Sequence, residues 1–427
     1  MSEQWVIEST PGMPATEDSL ADDLAALGVR AGMTLLVHSS LSSLGWVCGG
    51  VVAVIRALER AVGPSGTLVM PAHSGDLTDP RDWCHPPVPE AWKPLIRAAT
   101  PAYDPRRTPT RAVGRVAEAF RSWPEVVRSP HPYVSFAARG RLAEAVCAQH
   151  AMDFGLGETS PLARLYELDA WVLLLGVGHF ANTSMHLAEY RAVYPGKREV
   201  LQGAPVVQSG ERVWASIRDL ELSTDDFPAI GAEFSQTTGL VRTHRVGAGA
   251  ALLMPQRPLV DFAVSWMGER RGLPSPRREI RIRLTIAEDR QEWLRLRSEL
   301  WPQSDRVALE RELDLLCADR RTATFVAEAS DGHICGMAEV ALRDEAEGCS
   351  TSPVGYLEGW YVEPRFRRQG IGRRLAETCE SWAGEQGCRE MASDTTPSYP
   401  ESPSAHASAE YERAGITLHF RKSLKPF

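Results

Sequence analysis

The sequence has no closely spaced cysteine pairs and no long apolar run. Its eight cysteines are scattered, with no CxxC pair and no zinc-ligand spacing, which excludes a disulfide framework and favours reduced thiols. No apolar run approaches the roughly 20 residues of a membrane-spanning helix. The first residues, 1–19, are polar and acidic and do not resemble a signal peptide. We therefore expect a cytoplasmic protein with no membrane partner and no metal site.

The sequence also has fewer basic than acidic residues, 47 against 55, so that the formal net charge is −8. An acidic chain is a poor partner for nucleic acid. It is compatible with small cationic ligands, although many proteins carry such a charge for solubility alone.

One change of composition divides the chain. The segment GERRGLPSPRRE, 268–279, is rich in charge, glycine and proline and has no apolar periodicity, as is typical of a linker. The sequence therefore predicts a first domain at 1–268, a linker at 269–279 and a second domain at 280–427. Each domain is long enough to bury its own core.

The first half alternates helical and strand patterns. TLLVHSS (34–40) and GTLVMPAH (66–73) are predicted strands, and the segments 49–63 and 110–124 are predicted helices. AWVLLLGVG (170–178) is nearly all apolar, so we expect a strand covered on both faces. This pattern predicts an α/β fold with helices on both sides of a central sheet.

The second half also mixes strands and helices. A helix striped by Trp293, Leu296 and Leu300 precedes a hairpin that turns at 330–332. The strand GYLEGWYVEP then leads into a basic, glycine-containing turn and another helix, and REMASD (389–394) is a further strand. We expect a mixed sheet.

The turn EPRFRRQGIGRRL, 363–375, is the strongest local motif. Glycines permit close backbone approach, and a helix start with arginines beside it favours an anion such as pyrophosphate; the alternative is an arginine-rich solvated turn. With the strand before it, this motif resembles the acetyl-CoA loop of the GNAT acetyltransferases. The resemblance implies cofactor contacts from Arg367, Arg368, Gln369, Gly370, Ile371, Gly372 and Arg373, and backbone pairing of Tyr361 and Val362 with the pantetheine arm.

Over nearly all of 280–427 the pieces ELWPQSD, TSPVGYLEGWYV, MASD and YERAGITLHFRK resemble aminoglycoside 6'-N-acetyltransferases. The matched positions are Trp301, Glu358, Asp394 and Tyr411, and His406 also matches. A carboxylate can attract a substrate ammonium and take its proton, which is the role implied for Glu358 and Asp394; the alternative is a surface ion pair at a strand edge. Trp301 is either a wall of the sugar pocket or part of the core.

In the first half, His186 and Glu189 lie at i and i+3 of a predicted helix that begins at Asn182 or Thr183. A histidine beside a carboxylate is a general-base arrangement, and also a common structural pair.

The segments LLVHSSLSSLG, SPHPYVSFAARG and TSMHLAEY resemble aminoglycoside 3-N-acetyltransferases, over about 15–268. That resemblance implies a site at Thr183, His186 and Glu189. It also implies acetyl-CoA contacts from His38, Ser39, Ser40, His131 and Ser135. The segment GHFAN before Thr183 departs from the family pattern.

Two further features of the first half bear on this site. Asp225 and Asp226 are either contacts for substrate amines or an acidic turn before Phe227. Cys48 is a poor candidate for a nucleophile, because no base is placed beside it.

Together the resemblances predict a bifunctional aminoglycoside acetyltransferase. Each domain would use its own acetyl-CoA, the first acting on the 3-amine and the second on the 6'-amine. Two alternatives remain: the acceptor is another small amine or a peptide, or one domain is inactive and acts as a binding module. The oligomeric state, the range of drugs and the general acid are not predicted.

Overall fold

The computed structural model describes residues 6–7, 10, 12–83, 88–271, 280–367, 369–396, 399, 402–412 and 414–415. Contacts divide the chain into two units, Met1–Leu273 and Pro274–Phe427. The division falls inside the predicted linker. However, the last helix of the first unit, Gln256–Arg270, continues two residues past the predicted domain end at 268. Residues 272–279 of the predicted linker lie outside the described residues.

The sheet of the first unit is built around three parallel strands. They are β1 (Thr34–Ser39), β2 (Thr67–Pro71) and β5 (Trp171–Leu175), with β1 between the other two. Antiparallel strands extend the sheet, in the order β3-β4-β2-β1-β5-β9-β8. The added strands are β3 (Val127–Arg128), β4 (Phe136–Gly140), β8 (Arg242–Val246) and β9 (Gly249–Pro255). A separate hairpin pairs β6 (Glu199–Gln208) with β7 (Glu211–Leu220).

Alternate residues of the central strands enter two different cores. In β1, Leu35 and Val37 belong to one cluster of buried residues, whereas Leu36 belongs to the other. In β5, Leu173 and Leu175 separate from Val172 and Leu174 in the same way. Because successive side chains of a strand point to opposite faces, the sheet is covered on both sides. The predicted α/β/α arrangement is confirmed.

The described part of the first unit has nine α-helices, and all but the third, which has no buried residue, contribute to those two layers. The nine helices are α1 (Glu17–Leu27), α2 (Gly50–Val62), α3 (Lys93–Ala99), α4 (Gly114–Arg121), α5 (Ala143–Cys147), α6 (Pro161–Glu167), α7 (Ser184–Arg191), α8 (Phe227–Thr238) and α9 (Gln256–Arg270). The helix predicted at 110–124 is shorter than expected. Gly114 has φ of 86°, outside the helical region, and the Thr110 side chain and backbone bond Glu118 instead.

The second unit has one five-stranded sheet with helices on both faces. Its strands follow the order β10-β11-β12-β13-β14, antiparallel except for the parallel pair β13–β14, so the predicted mixed sheet is confirmed. The strands are β10 (Arg281–Leu284), β11 (Thr322–Glu328), β12 (Ile334–Arg343), β13 (Val354–Val362) and β14 (Met391–Ser393). The helices are α10 (Arg290–Leu300), α11 (Arg306–Ala318), α12 (Ile371–Glu385) and α13 (Ser402–Ser408).

The apolar stripes read from the sequence form the two cores of this unit. Trp293 and Leu296 of α10 pack in one cluster, and Ile371, Leu375 and Cys379 of α12 pack in the other. Burial of a large apolar side chain contributes about 1.5–3 kcal/mol, so these stripes fix both helices on the sheet. The end of the matched piece YERAGITLHFRK, from 416 onward, lies outside the described residues. Within the described ranges, no helix has the length and apolar character needed to cross a bilayer.

Candidate active sites

The first candidate site lies at the carboxyl edge of the three parallel strands. The chain leaves β1 and forms β2 on one side of it, and later forms β5 on the other side. Connections that depart in opposite directions open a crevice at the strand ends, which is the usual ligand position in an α/β sheet. His38 is at the end of β1, and α7, which carries His186, follows β5.

His186 and Glu189 form a close pair on α7. The distance from His186 Nδ1 to Glu189 Oε2 is 2.5 Å. An ionised carboxylate can only accept, so Nδ1 carries the proton and Nε2 has the lone pair. The His186 side chain is 13% exposed and that of Glu189 is 0% exposed. His186 is therefore a partly exposed base, and the carboxylate of Glu189 that bonds it is fully buried.

Glu189 is held from the opposite side as well. Its Oε1 accepts from the Ser223 backbone N–H at 3.0 Å and from Arg271 Nη1 at 2.6 Å. Arg271 in turn donates two bonds of 2.8 Å to Asp226. Both oxygens of Asp226 are thus engaged by an internal cation, and contact of Asp226 with substrate stays a prediction. Asp225 is exposed, and its role as a substrate contact stays a prediction.

Two more imidazoles lie at the same edge of the sheet. His38 Nε2 is 3.3 Å from the Thr183 hydroxyl, and burial together with the nearby His186 lowers the pKa of His38 to about 3. His73 follows β2, and burial followed by the charges of His186 and His38 lowers its pKa to about 3 as well. Both rings are therefore neutral at physiological pH, and Thr183 is brought to the site as predicted.

The predicted acetyl-CoA residues of this unit separate into two groups. Ser39 and Ser40 are half-buried at the end of β1, where Ser40 and Ser43 share a hydrogen bond of 2.8 Å. His131 and Ser135 are fully buried. His131 Nδ1 accepts from the Val134 backbone N–H, and Ser135 Oγ donates to the Ala72 carbonyl. Both side chains thus bond within the protein, Ser135 to the loop after β2 and His131 to the segment before β4, and their contact with acetyl-CoA stays a prediction.

The second candidate site lies where β13 parts from β14. β14 pairs only with Gly355–Leu357, so within the described residues the remainder of that edge of β13 has no neighbouring strand. On the other side of β13, Glu339 pairs with Gly359 and Val340 with Leu357. Glu358 is therefore the extra residue of a β-bulge, a feature that often occurs beside active sites because it re-aims a side chain.

Glu358 and Asp394 are brought together through two intermediates. Arg343 donates two bonds to Glu358, of 2.9 and 2.7 Å, and its guanidinium lies 3.3 Å from the centre of the Tyr356 ring. The Tyr356 hydroxyl donates to Asp394 at 2.8 Å, and burial together with this bond raises the pKa of Tyr356 to about 12. Glu358 and Arg343 thus form an ion pair, in which the Arg343 side chain is 42% exposed and the Glu358 side chain is 31% exposed. A surface ion pair was the alternative interpretation of Glu358 in the sequence.

The glycine turn is fixed to β13 by an indole. Trp360 Nε1 donates to the Gly372 carbonyl at 3.0 Å, and a Cβ on Gly372 would lie 3.2 Å from the Trp360 ring. Gly370 caps α12 with φ of 76°. The first-turn amides of a helix have no partner within the helix and favour an anion. The start of α12 thus remains a suitable position for pyrophosphate.

Other residues predicted at this cofactor site have different surroundings. Arg367 Nε donates to the Val362 carbonyl at 2.8 Å and lies over the Tyr361 ring, so that carbonyl is engaged internally. Gln369 and Arg373 are exposed, the Ile371 side chain is buried in the core, and Arg368 lies outside the described residues. Their contact with the cofactor stays a prediction.

Three predicted aromatic or histidine positions pack beside β13. A Cβ on Gly359 would lie 2.8 Å from Trp301, and Trp301 is half-buried against the core, so it is both a core residue and a neighbour of the bulge. His406 contacts the Ser393 hydroxyl at 2.9 Å and lies edge-on to Tyr411. Substrate contact by Trp301 and Tyr411 stays a prediction.

Three residues at these sites were not singled out from the sequence. His73 ends a predicted strand, and a polar residue directly after a buried strand was the available signal. Arg271 is hidden in a segment typical of linkers, and Arg343 lies across a hairpin from Glu358. Among the described residues, no group of three or more His, Cys, Asp or Glu side chains could hold a metal ion.

Comparison with known proteins matches each unit to a family. Residues 36–268 match the family "Aminoglycoside 3-N-acetyltransferase" and residues 290–407 match the "Acetyltransferase (GNAT) family". The SPbeta prophage-derived aminoglycoside N(3')-acetyltransferase-like protein YokD of Bacillus subtilis (strain 168) is 46% identical over 262 residues, covering 61% of this chain and 95% of that protein.

A different relative matches the second unit. The aminoglycoside N(6')-acetyltransferase type 1 of Stenotrophomonas maltophilia is 41% identical over 146 residues, covering 34% of this chain and 94% of that protein. Among solved structures, AAC-IIIb in a binary complex with CoASH is 35% identical with a TM-score of 0.54, covering 62% of this chain and 100% of that one. The two resemblances noted in the sequence are confirmed.

Proposed function

The chain belongs to the aminoglycoside 3-N-acetyltransferase family and continues into a GNAT-family domain, and on that premise we propose that it is a bifunctional aminoglycoside acetyltransferase. The first unit acetylates the 3-amine and the second the 6'-amine, each with its own acetyl-CoA. Acetylation removes a positive charge and a hydrogen-bond donor that the drug uses against ribosomal RNA. Antibiotic resistance is the expected consequence. No disulfide joins the cysteines of the described residues, and reduced thiols support a cytoplasmic location.

The single observation that carries the first activity is the pair of His186 and Glu189 at the crevice edge. In our proposal His186 Nε2 takes a proton from the 3-ammonium, so that the amine can attack the thioester carbonyl carbon. The carbon–sulfur bond then breaks, the imidazolium gives its proton to the departing thiolate, and the second N–H proton lost by the attacking amine goes to water. Glu189 fixes the tautomer through the 2.5 Å bond at Nδ1 and stabilises the imidazolium while it exists.

The second activity uses acids in a more open position. Glu358 and Asp394 attract the 6'-ammonium, and the proton leaves to one of them or to water. Arg343 occupies Glu358 in the structure, so the substrate cation has to displace a guanidinium before it can pair. A half-exposed ion pair is worth at most about 1 kcal/mol, which makes this exchange feasible.

Acetyl-CoA is the acetyl donor in both reactions. In the first unit, the hydroxyls after β1 at Ser39 and Ser40 and the neutral His38 are suitable donors for its polar groups. In the second, the unpaired edge of β13 fits the pantetheine arm and the start of α12 fits the pyrophosphate.

One observation favours a second candidate function. Because Arg343 pairs with Glu358, one proposed proton acceptor of the second unit is occupied, and a unit that binds drug without turning it over would serve as a binding module. The other alternative, an acceptor that is not an aminoglycoside, has no support beyond the shared acetyl-transfer chemistry.

Mass spectrometry of drug products separates these functions. We would incubate the full chain and acetyl-CoA with a kanamycin-type drug that has both amines, then with analogues that lack one of them. Two acetyl groups on the first drug and one on each analogue are expected. A single acetyl group on the 3-amine would support the binding-module function of the second unit. No acetylation of any analogue, with turnover of another amine, would reject the proposed substrate.

A further inference from the structure

Arg271 lies just outside the segment that the sequence assigned to the first domain. Helix α9 ends at Arg270 and the Arg271 backbone N–H still bonds the Met267 carbonyl, at 2.9 Å. Its φ and ψ of −72° and 128° then turn the chain out of the helix. The family match ends at 268, so nothing in that match assigns this residue a role.

The Arg271 side chain turns inward and is 14% exposed. It donates to Glu189 Oε1 at 2.6 Å, to both oxygens of Asp226 at 2.8 Å, and to the Ser223 carbonyl at 2.9 Å. Tyr194 stacks below the guanidinium at 5.0 Å. A fork-shaped cation with this many directed bonds has one orientation.

That orientation decides how Glu189 is presented. Glu189 is fully buried, and a buried carboxylate without a compensating cation is unfavourable by several kcal/mol. With Oε1 held by Arg271 and by the Ser223 amide, the carboxylate cannot rotate, and Oε2 stays directed at His186 Nδ1. An exposed lysine or arginine elsewhere on α9 would not give the same constraint.

We propose that Arg271 is a positioning residue of the 3-N site: it fixes the orientation and the charge of Glu189, and through Glu189 those of His186. This inference rests on the proposed function of the first unit. It also extends the functional unit beyond 268, into the predicted linker.

The charged and titratable groups around the pair determine the sign of the effect. His38 and His73 face it from the ends of β1 and β2, as the influence of His186 on both rings shows. Tyr194 and Lys197 lie in the segment after α7, and the charge of Glu189 acts to raise the pKa of each. Asp226 and Arg271 complete the set, from the residues before α8 and after α9.

Opposite charge changes should therefore have opposite effects on His186. Arg271→Gln removes a positive charge beside Glu189, which makes the imidazolium more favourable and should move the NMR titration midpoint of His186 to higher pH than in the wild type. Asp226→Asn leaves Arg271 charged and removes one of its two counter-ions, so the titration should move to lower pH. A loss of packing alone would not shift the His186 titration in opposite directions in the two variants.

The full-length chain is the test system. Histidine side chains labelled with ¹³C and ¹⁵N are titrated by NMR in the wild type, Arg271→Gln, Asp226→Asn and Arg271→Lys, and the His186 signal is assigned by its loss in His186→Gln. Arg270→Gln is the matched control, because the neighbouring Arg270 pairs with Glu233 on the surface. The rate at the 6'-amine, measured in the same molecules, reports on the second unit.

We expect opposite shifts in Arg271→Gln and Asp226→Asn, and no shift in Arg270→Gln. We also expect kcat at the 3-amine to fall by roughly 10- to 100-fold in Arg271→Gln, the scale of a misplaced catalytic group, with a smaller fall in Arg271→Lys. An unchanged titration in both variants, or shifts in the same direction, would overturn the inference. If Arg271→Gln does not fold, the Asp226→Asn shift still decides. A wild type without 3-N activity would reject the proposed function and leave the titration test intact.

Discussion

The two candidate sites present the same proposed reaction with different degrees of enclosure. In the first unit a buried carboxylate and an internal arginine orient an imidazole, and two further imidazoles are kept neutral by burial. In the second unit Glu358 is half-exposed and paired with Arg343, and Asp394 is exposed and accepts from the Tyr356 hydroxyl. The proposed acetyl transfer thus depends on one pre-oriented base in the first unit and on two separate carboxylates, Glu358 and Asp394, in the second. The first site should fail abruptly on mutation and the second gradually.

Removal of the base should have the largest effect. His186→Ala should lower 3-N-acetylation by roughly 100-fold or more, the scale of lost general-base catalysis, and leave 6'-N-acetylation unchanged in the same molecule. Initial rates at each amine, resolved by mass spectrometry, measure both. His244→Ala, at an exposed histidine of the same unit, is the control. A His186→Ala protein that retained most of its 3-N rate would show that the pair with Glu189 is only structural.

Acid should distinguish the units next, through stability rather than rate. Burial lowers the pKa values of His38 and His73 to about 3 and of His150 to about 4. Their unfolded forms bind protons below about pH 6.5 while the folded forms do not, so stability is complete above that pH and falls towards the folded pKa. At pH 5 each contributes about 2 kcal/mol less to the free energy of unfolding.

One buried group of the second unit should respond in the opposite sense. Burial raises the pKa of Glu339, so the folded form binds the proton first and this group adds stability as the pH falls. Hydrogen exchange read by mass spectrometry at pH 7.5, 6.0 and 5.0, corrected for intrinsic exchange rates, would show which unit opens first. Loss of protection in the second unit before the first would contradict the assignment of these shifts.

The shared arginine of the second site predicts effects of moderate size and opposite sign. Glu358→Gln and Asp394→Asn should each raise the KM for drug at the 6'-amine by about 10-fold, since each removes a charge that attracts the ammonium. Arg343→Gln should lower that KM by about threefold, because it frees Glu358. Asp344→Asn, which breaks a comparable exposed pair with Arg321, should change neither. A rise in KM for Arg343→Gln would mean that the arginine binds substrate instead of competing with it.

The glycine turn predicts the smallest effects. Gly372→Ala places a Cβ 3.2 Å from Trp360 and should shift the start of α12, which raises the KM for acetyl-CoA at the 6' site a few-fold. Gly370→Ala meets no atom within 4 Å but keeps φ at 76°, so it should cost about 1 kcal/mol of stability with less change in KM. Initial rates and thermal unfolding distinguish the two. Equal KM values for acetyl-CoA in both variants would show that this turn does not bind the pyrophosphate.

Local patterns were sufficient for the central elements of the fold and for one of the sites. The apolar run at 170–178 became the buried strand β5, and the spacing of His186 and Glu189 on a helix placed their side chains in contact. The hairpin of β6 and β7 was not predicted, although its turn at Ser209–Gly210, with both φ values positive, is a typical hairpin signal.

The sequence could not supply the contacts that depend on register or on long-range packing. Arg343 meets Glu358 across the paired strands β12 and β13, where the bulge at Glu358 shifts the register by one residue. Arg271 meets Glu189 across 82 positions of sequence. His131 and Ser135 matched a family segment, but their burial is a property of the assembled sheet, and motif matches carry no information about exposure.

A connection between two domains is ordinarily where insertions and deletions accumulate, because neither core depends on it. Arg271 limits that freedom at its first position, since the guanidinium is tied to Glu189 and Asp226. A recombination breakpoint at 268 would discard it, and a breakpoint after Leu273 would retain it. Chimaeras that graft this acetyltransferase module onto other partners, or that lengthen the tether, should therefore be joined after Leu273. The C-terminal limit of the first unit is therefore set by the guanidinium of Arg271 rather than by the last turn of α9.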